Sequence, residues 1–177
     1  IEELQRLCDV HSALFHGSAT DAQKLHAKDI QDQRLSAAAA LIQISGHPLQ
    51  TFTLENAALE KLIARAKQVL ENGTINDGSL NELRQITIHY ARKGDLLYPH
   101  LKVQYGISGP SAVMWTVDDE IRDELNALAK QKDQKETDAW KQRLNAVLTR
   151  MEEMIYKESN ILFPNCALNF SEEEWYH

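Results

Sequence analysis

Apolar residues recur every three or four positions along most of this chain, which is the spacing of amphipathic helices. Glycine and proline interrupt the pattern at a few points and set the expected helix ends. The predicted helices cover residues 1–15, 20–44, 48–71, 79–104, 109–130 and 137–167. We expect Ser79 with Glu82 to form a capping box at the start of the fourth helix, and Ser171 with Glu174 to cap a short last turn. No segment has the alternation of a strand, so the predicted fold is all-α.

The connections between the later helices are short, and this favours antiparallel neighbours. The last four long helices are therefore predicted to form an antiparallel four-helix bundle, with two additional N-terminal helices packed alongside or on top. We divide the chain into an N-terminal helical segment, residues 1–45, and the bundle, residues 46–177.

Two segments of the bundle are similar to each other. Residues 89–99 and 154–164 both end in an apolar residue, leucine, an aromatic residue and proline. A weaker similarity aligns Glu55-Asn56 with Val117-Asp118. The four helices thus follow the order A, B, A′, B′, and the bundle is predicted to consist of two similar helix pairs.

Each predicted core stripe carries a polar residue near its middle. These are Asn56 on the first bundle helix, His89 and Lys93 on the second, Asp118 on the third and Glu158 on the fourth. The stripe predicted for the first bundle helix is Leu49, Phe52, Asn56, Leu59, Ile63 and Ala66. In an antiparallel bundle the middles of the helices lie at one level, so these side chains are expected to face one another. Buried polar groups are costly unless they are paired or bind something, and the pattern therefore predicts a polar site inside the bundle.

Composition excludes several classes of function. The net charge of −7 and the absence of a basic run argue against a nucleic-acid partner. No apolar stretch approaches the roughly 18–20 residues of a membrane span. Cys8 and Cys166 form no Cys-x-x-Cys pair, and no nucleophile–base arrangement or glycine-rich phosphate loop is present. We therefore expect a cytoplasmic helical protein that is not an enzyme.

With these motifs the chain resembles the hemerythrin-like, or HHE cation-binding, family. In that family a helix reading Glu-His-x-x-Ile and a helix reading His-x-x-x-Glu-x-x-x-Leu-Phe-Pro occur twice around two iron ions. The resemblance covers about residues 47–168, and its specific part is the pair of endings at Pro99 and Pro164. It implies a hemerythrin-like bundle that serves as a non-catalytic metal-binding or sensory module.

The first 45 residues and the phrase at residues 113–122 resemble one subfamily, in which a domain of unknown function precedes the bundle and a PAS sensory domain often follows. That resemblance implies a PAS or other signalling domain as the partner that the module regulates. A homodimer is also left open.

The chain departs from the family at the ligand positions, which here hold Asn56, His89, Lys93, Asp118, Met154 and Glu158. Lys93 places a positive charge where the family has a bridging carboxylate, so a two-iron centre is not expected. His89, Asp118 and Glu158 remain as ligand types, with His47 or His11 as further candidates. This set predicts a single first-row metal ion: iron, zinc or manganese.

Other interpretations stay open. Lys93 and Glu158 would form a buried ion pair in a structural interaction module whose metal site has degenerated. His47 would then be a helix cap, and His11 a packing residue. Asp118, beside Asp119 and Glu120, would lie on an exposed face if its helix buries Val117 instead. A third interpretation is a haem-binding bundle that uses His11 or Cys8.

Overall fold

The computed structural model describes residues 21–106 and 109–176, and this part of the chain contains helices and no strand. The α-helices are α1 (Asp21–Ile42), α2 (Pro48–Asn72), α3 (Asp77–Arg84), α4 (Ile86–Arg92), α5 (Tyr98–Tyr105), α6 (Gly109–Lys130), α7 (Asp138–Lys157), α8 (Phe163–Asn169) and α9 (Glu172–Trp175). A 3₁₀ turn spans Lys132–Gln134, and π-helical turns span Lys93–Leu97 and Glu158–Leu162. The predicted first helix, residues 1–15, lies outside the described residues.

The helices close into a four-membered ring. One member is α2, the second is the broken run α3–α4–α5, the third is α6 and the fourth is α7 continued by α8. Helix α2 packs on α7, α7 on α6, and α6 on α3, α4 and α5. Helix α1 lies outside this ring against α8 and α2. The prediction of an all-α helical bundle is therefore confirmed.

The core follows the apolar stripes of the sequence. On α2 the buried residues are those of the predicted stripe, namely Leu49, Phe52, Asn56, Leu59, Ile63 and Ala66. Large side chains from the other members fill the interior, and buried Trp140 also donates its Nε1 hydrogen to Leu128 O at 3.1 Å. Burial of these apolar surfaces is the main stabilising contribution, at roughly 25 cal/mol per Å². No helix in the described part of the chain has the length and apolar character needed to cross a bilayer.

The helix caps agree with the sequence at one end of the chain and differ at α3. Ser171 and Glu174 form the predicted capping box. The predicted Ser79–Glu82 box is wrong, because α3 begins earlier, where Asn76 Oδ1 accepts a hydrogen bond from Ser79 N at 2.8 Å. An asparagine side chain caps a helix as well as serine does, and the acidic Asp77 favours the first helical turn.

The two π-helical turns occur at equivalent positions of the repeat. Tyr98 N donates to Lys93 O, and Phe163 N donates to Glu158 O, each across five residues. Proline follows at once in both segments, at Pro99 and Pro164, and proline has no N–H for the next helical hydrogen bond. Each π-helical turn thus accommodates one extra residue immediately before the aromatic-Pro pair that ends the segment. Both turns begin at a residue of the polar layer, Lys93 or Glu158.

Candidate functional site

The centre of the polar layer is the ammonium group of Lys93. Its side chain is 0 % exposed, and Nζ donates to Asp118 Oδ1 at 2.9 Å and to Glu158 Oε1. Asp118 reaches it from α6, and Glu158 from the π-helical turn after α7. An unpaired charge at this depth would cost several kcal/mol, and the two carboxylates remove that penalty.

Two tyrosines complete the surroundings of the ammonium. Nζ lies 4.3 Å from the ring centroid of Tyr90 and 5.7 Å from that of Tyr98. The negative face of an aromatic ring attracts a cation at such distances. Tyr98 also donates its hydroxyl hydrogen to Asp118 Oδ2 at 2.8 Å, so both oxygens of that carboxylate are hydrogen-bonded.

The second carboxylate oxygen of Glu158 contacts one residue of α2 and one residue of α4. Asn56 Nδ2 donates to Glu158 Oε2 at 2.7 Å, and His89 Nε2 lies 2.9 Å from the same atom. His89 Nδ1 lies 2.7 Å from Glu55 Oε2, and Glu55 also pairs with Arg92. The imidazole therefore lies between two carboxylates, and these two contacts fix the plane of its ring. The chain of contacts runs from buried Glu158 through His89 to Glu55 and Arg92 at the surface.

The two buried carboxylates have opposite pKa shifts. Burial raises the pKa of Asp118 to about 6, against the smaller effects of Lys93 and the Tyr98 hydroxyl. Burial also acts to raise the pKa of Glu158, but the Lys93 charge and the hydrogen bond from His89 outweigh it and hold that pKa at about 2. The charged form of Glu158 is stabilised by three neighbouring groups, because Lys93, His89 and Asn56 all contact its carboxylate oxygens.

The structure brings together three of the five predicted ligands, His89, Asp118 and Glu158, around Lys93. His47 is the N-cap of α2, where its Nδ1 accepts a hydrogen bond from Leu49 N at 3.1 Å. Its ring centroid lies 4.7 Å from that of Trp175, and its position along α2 is about 13 Å from Asn56 at the helical rise per residue. His11 lies outside the described residues, as does Cys8.

Sequence reasoning missed three members of the layer, which are Glu55, Tyr90 and Tyr98. Glu55 was part of the repeated phrase but was not given a role, although it holds the outer nitrogen of His89. Tyr98 precedes Pro99 in the repeated ending, where the second repeat has Phe163. The hydroxyl that distinguishes the two was the available signal, because a buried tyrosine usually has a hydrogen-bond partner.

The arrangement as it stands is a closed ionic network. Within residues 21–106 and 109–176, no group of three or more His, Cys, Asp or Glu side chains has the geometry to hold a metal ion. The reason is visible in the contacts, since Lys93 Nζ takes one oxygen from each carboxylate and so separates them. What the layer does chemically is neutralise buried charge.

Comparison with known proteins finds one matching domain family. The family model for the hemerythrin HHE cation binding domain matches residues 47–166, most of the 177-residue chain. The match spans the whole polar layer, from α2 to α8. No curated protein and no solved structure matches the chain.

Proposed function

The chain belongs to the hemerythrin HHE cation-binding family, and from that premise we propose that it is a non-catalytic module in which the ammonium of Lys93 stands in the place of the metal cation. The module would act on an attached or partner signalling domain, as a sensory or regulatory unit, through its folded surface. The fold is kept, and the positive charge at its centre comes from the protein itself.

The observation that carries this proposal is the double hydrogen bond of Lys93 Nζ, to Asp118 and to Glu158. A first-row metal binds carboxylate oxygens at about 2.0–2.2 Å, so it would need the space that Nζ holds. A cation beside the ammonium would also be repelled. The residues therefore do not fit a metal ion while Lys93 stays in place, and we derive no metal chemistry from the site.

The burial of the layer supports a non-catalytic role. The side chains of Lys93 and Glu158 are 0 % exposed, and Asp118 is also buried. A substrate cannot reach any of these groups without opening of the bundle. The charged groups of the layer are paired, while Asn56 Oδ1 and the Tyr90 hydroxyl are buried without a hydrogen-bond partner. Ion pairing of this kind contributes specificity of packing instead, because few arrangements of the core satisfy the buried charges.

A mononuclear metal site is the second candidate. The observation that favours it is that His89 Nε2 lies 2.9 Å from Glu158 Oε2 and that Lys93 Nζ connects Glu158 to Asp118, so the three ligand types belong to one network. In this candidate Lys93 must leave the layer, and its two carboxylate partners must then accept the metal.

Elemental analysis distinguishes the two candidates. Protein purified without chelator is measured for iron, manganese and zinc, before and after incubation with each metal and desalting. Our proposal expects substoichiometric metal and a melting temperature that does not change with EDTA. One tightly held ion per chain that is lost in Glu158→Gln and kept in the control Glu153→Gln, an exposed residue of α7, would establish the mononuclear site instead. Two irons per chain would refute both.

A further inference from the structure

We propose that a groove at one end of the bundle docks an amphipathic helix of a partner protein, whose polar face carries Lys or Arg. The groove has a volume of about 800 Å³ and lies between the start of α2, helix α5 and the C-terminal segment 170–176. This inference goes beyond the proposed function and does not depend on how the charge of Lys93 is satisfied.

Several of the residues that line the groove are apolar side chains exposed to solvent. Val103 is 81 % exposed, Tyr176 is 77 % exposed and Leu96 is 57 % exposed, and all three line it. Pro48 and Pro99 line it as well. A contiguous apolar surface with a polar rim is the usual mark of a protein-interaction site, whereas single exposed apolar residues carry no such meaning.

The internal repeat indicates that the occupant is a helix. Helix α5 and the residues before it correspond to α8 and the residues before it in the second repeat. In the second repeat α1 packs against α8, and Gln31 Nε2 donates to Asn160 O at 3.0 Å. That carbonyl lies four residues before Pro164, which has no N–H to give it.

In the first repeat only the four-residue helix α9 lies against α5 at this place among the described residues, through contacts of Glu174 with Tyr105 and His100, and the groove is open beside it. Asp95, the counterpart of Asn160, lines the groove. Pro164 is buried, but its counterpart Pro99 is only half-buried. The groove is thus the position that corresponds to the α1 docking surface, and an amphipathic helix is the shape that fits it.

Charge selects the partner. Asp95, which lines the groove, and Glu172 and Glu173, which flank it, are exposed and have no ion-pair partner among the described residues. No lysine or arginine lines the groove. The whole chain carries a net charge of −7, and acidic residues outnumber basic ones in residues 1–20. A second copy and the N-terminal segment are therefore poor matches, while a basic helix is complementary.

The C-terminal wall of the groove is held in place before any partner binds. Glu174 accepts a hydrogen bond from Tyr105 OH at 2.6 Å and also holds Ser171 N at 2.7 Å. The rings of Phe170 and Trp175 lie 4.9 Å apart. A preformed surface of this kind reduces the ordering cost of binding.

The test uses the full chain and a fluorescein-labelled model helix of leucine and lysine, about five turns long. Fluorescence anisotropy measures its binding to the wild type, to Val103→Glu and to Val113→Glu. Val113 is exposed on α6 and lies outside the groove. Both variants add one negative charge, so non-specific attraction of the lysines rises equally in both. A matched peptide with glutamate in place of lysine controls for the charge preference.

We expect Val103→Glu to weaken binding by about tenfold or more, equivalent to about 1.4 kcal/mol, and Val113→Glu to leave it unchanged. The glutamate peptide should not bind. Equal binding to the two variants would overturn the proposal, as would no binding of the lysine peptide to the wild type. A wild-type dimer in light scattering that becomes monomeric in Val103→Glu would assign the groove to a second copy and also overturn it. Melting curves of both variants establish that they are folded.

Discussion

Lys93 and Glu158 occupy the same position in the two repeats, 65 residues apart, and they pair with each other in the middle of the bundle. Each begins a π-helical turn. Their other partners also correspond, since Asp118 accepts from Lys93 and Asn56 donates to Glu158. The layer therefore has an approximate two-fold pattern of contacts, in which one carboxylate position has become an ammonium.

The replacement of a carboxylate by an ammonium changes how the buried negative charge of the layer is balanced. Carboxylates from both repeats require an external cation, but a lysine in one repeat provides the cation from within. Internal pairing also has a consequence for stability, because removing either partner leaves the other buried and uncompensated.

The first prediction is that Lys93→Met is strongly destabilising. Methionine has a similar length and no charge, so the substitution leaves Glu158 and Asp118 without their shared donor. We expect a loss of about 3–5 kcal/mol in the free energy of unfolding, measured by urea denaturation. Lys102→Met, at an exposed position of α5, is the control and should change stability by less than about 0.5 kcal/mol. Similar small effects in both variants would contradict a buried pair.

The second prediction concerns the coupling between Lys93 and Glu158. In a double-mutant cycle with Lys93→Met and Glu158→Gln, the double variant should lose less stability than the sum of the single variants, by about 1–3 kcal/mol. The surface pair Lys67–Glu152, with Nζ and Oε2 2.5 Å apart, gives the comparison. Its coupling should be about 0–1 kcal/mol, because solvent screens exposed charges. Strict additivity at Lys93 and Glu158 would show that the contact contributes nothing.

The sequence was a good guide to the regular helices. The α2 stripe, including Asn56, was predicted residue by residue because a long amphipathic helix has many repeats of its period. The fourth predicted helix, 79–104, was drawn as one element, but the structure breaks it at Gln85 and inserts a π-helical turn. Hydrophobic periodicity does not reveal one extra residue in a turn, and Pro99 was its only sign.

The site was predicted as a set of residues but not as an arrangement. The repeat alone placed His89, Lys93, Asp118 and Glu158 at one level, and the structure has them in contact. The sequence also allowed Asp118 on an exposed face, beside Asp119 and Glu120, whereas it is 2 % exposed. The direction of the Lys93 side chain could not be predicted, because it depends on the free energies of two alternative pairings of the same carboxylates.

The third prediction is that removal of the ammonium creates a cation site. In Lys93→Ala, Asp118 and Glu158 lose their counter-ion, and a space opens between them next to His89. Addition of Zn²⁺ should raise the melting temperature of this variant and leave that of the wild type unchanged, because a ligand that binds only the native state stabilises it. Co²⁺ in place of Zn²⁺ should give visible absorption bands in the variant. The matched control is Lys93→Ala with His89→Phe, in which the imidazole ligand is lost and the metal effect should weaken. No metal effect in Lys93→Ala would show that the remaining residues are not a ligand set.

The fourth prediction is a pH dependence with two opposing parts. The pKa of Glu158 falls from 4.5 to about 2 on folding, so its contribution to stability is present above pH 4.5 and is lost as the pH falls towards 2. The pKa of Asp118 rises from 3.8 to about 6, so its contribution is present below pH 3.8 and is lost as the pH rises through 6. Between about pH 4 and 7, Asp118 is therefore the carboxylate of the layer that makes the native state less stable with rising pH.

Asp118→Asn isolates this effect, because asparagine keeps the shape of the side chain and does not titrate. The variant loses a partner of Lys93 at every pH, which shifts its stability by a constant amount. Relative to the wild type, however, its free energy of unfolding should increase between pH 4 and pH 7, on the order of 2–3 kcal/mol for a shift of this size. Urea denaturation at unit pH intervals measures the difference. Asp119→Asn, at the next and more exposed position of α6, should show no comparable slope. A difference between Asp118→Asn and the wild type that stays flat with pH would mean that burial does not raise the pKa of Asp118, and that the ammonium of Lys93 fully compensates both carboxylates.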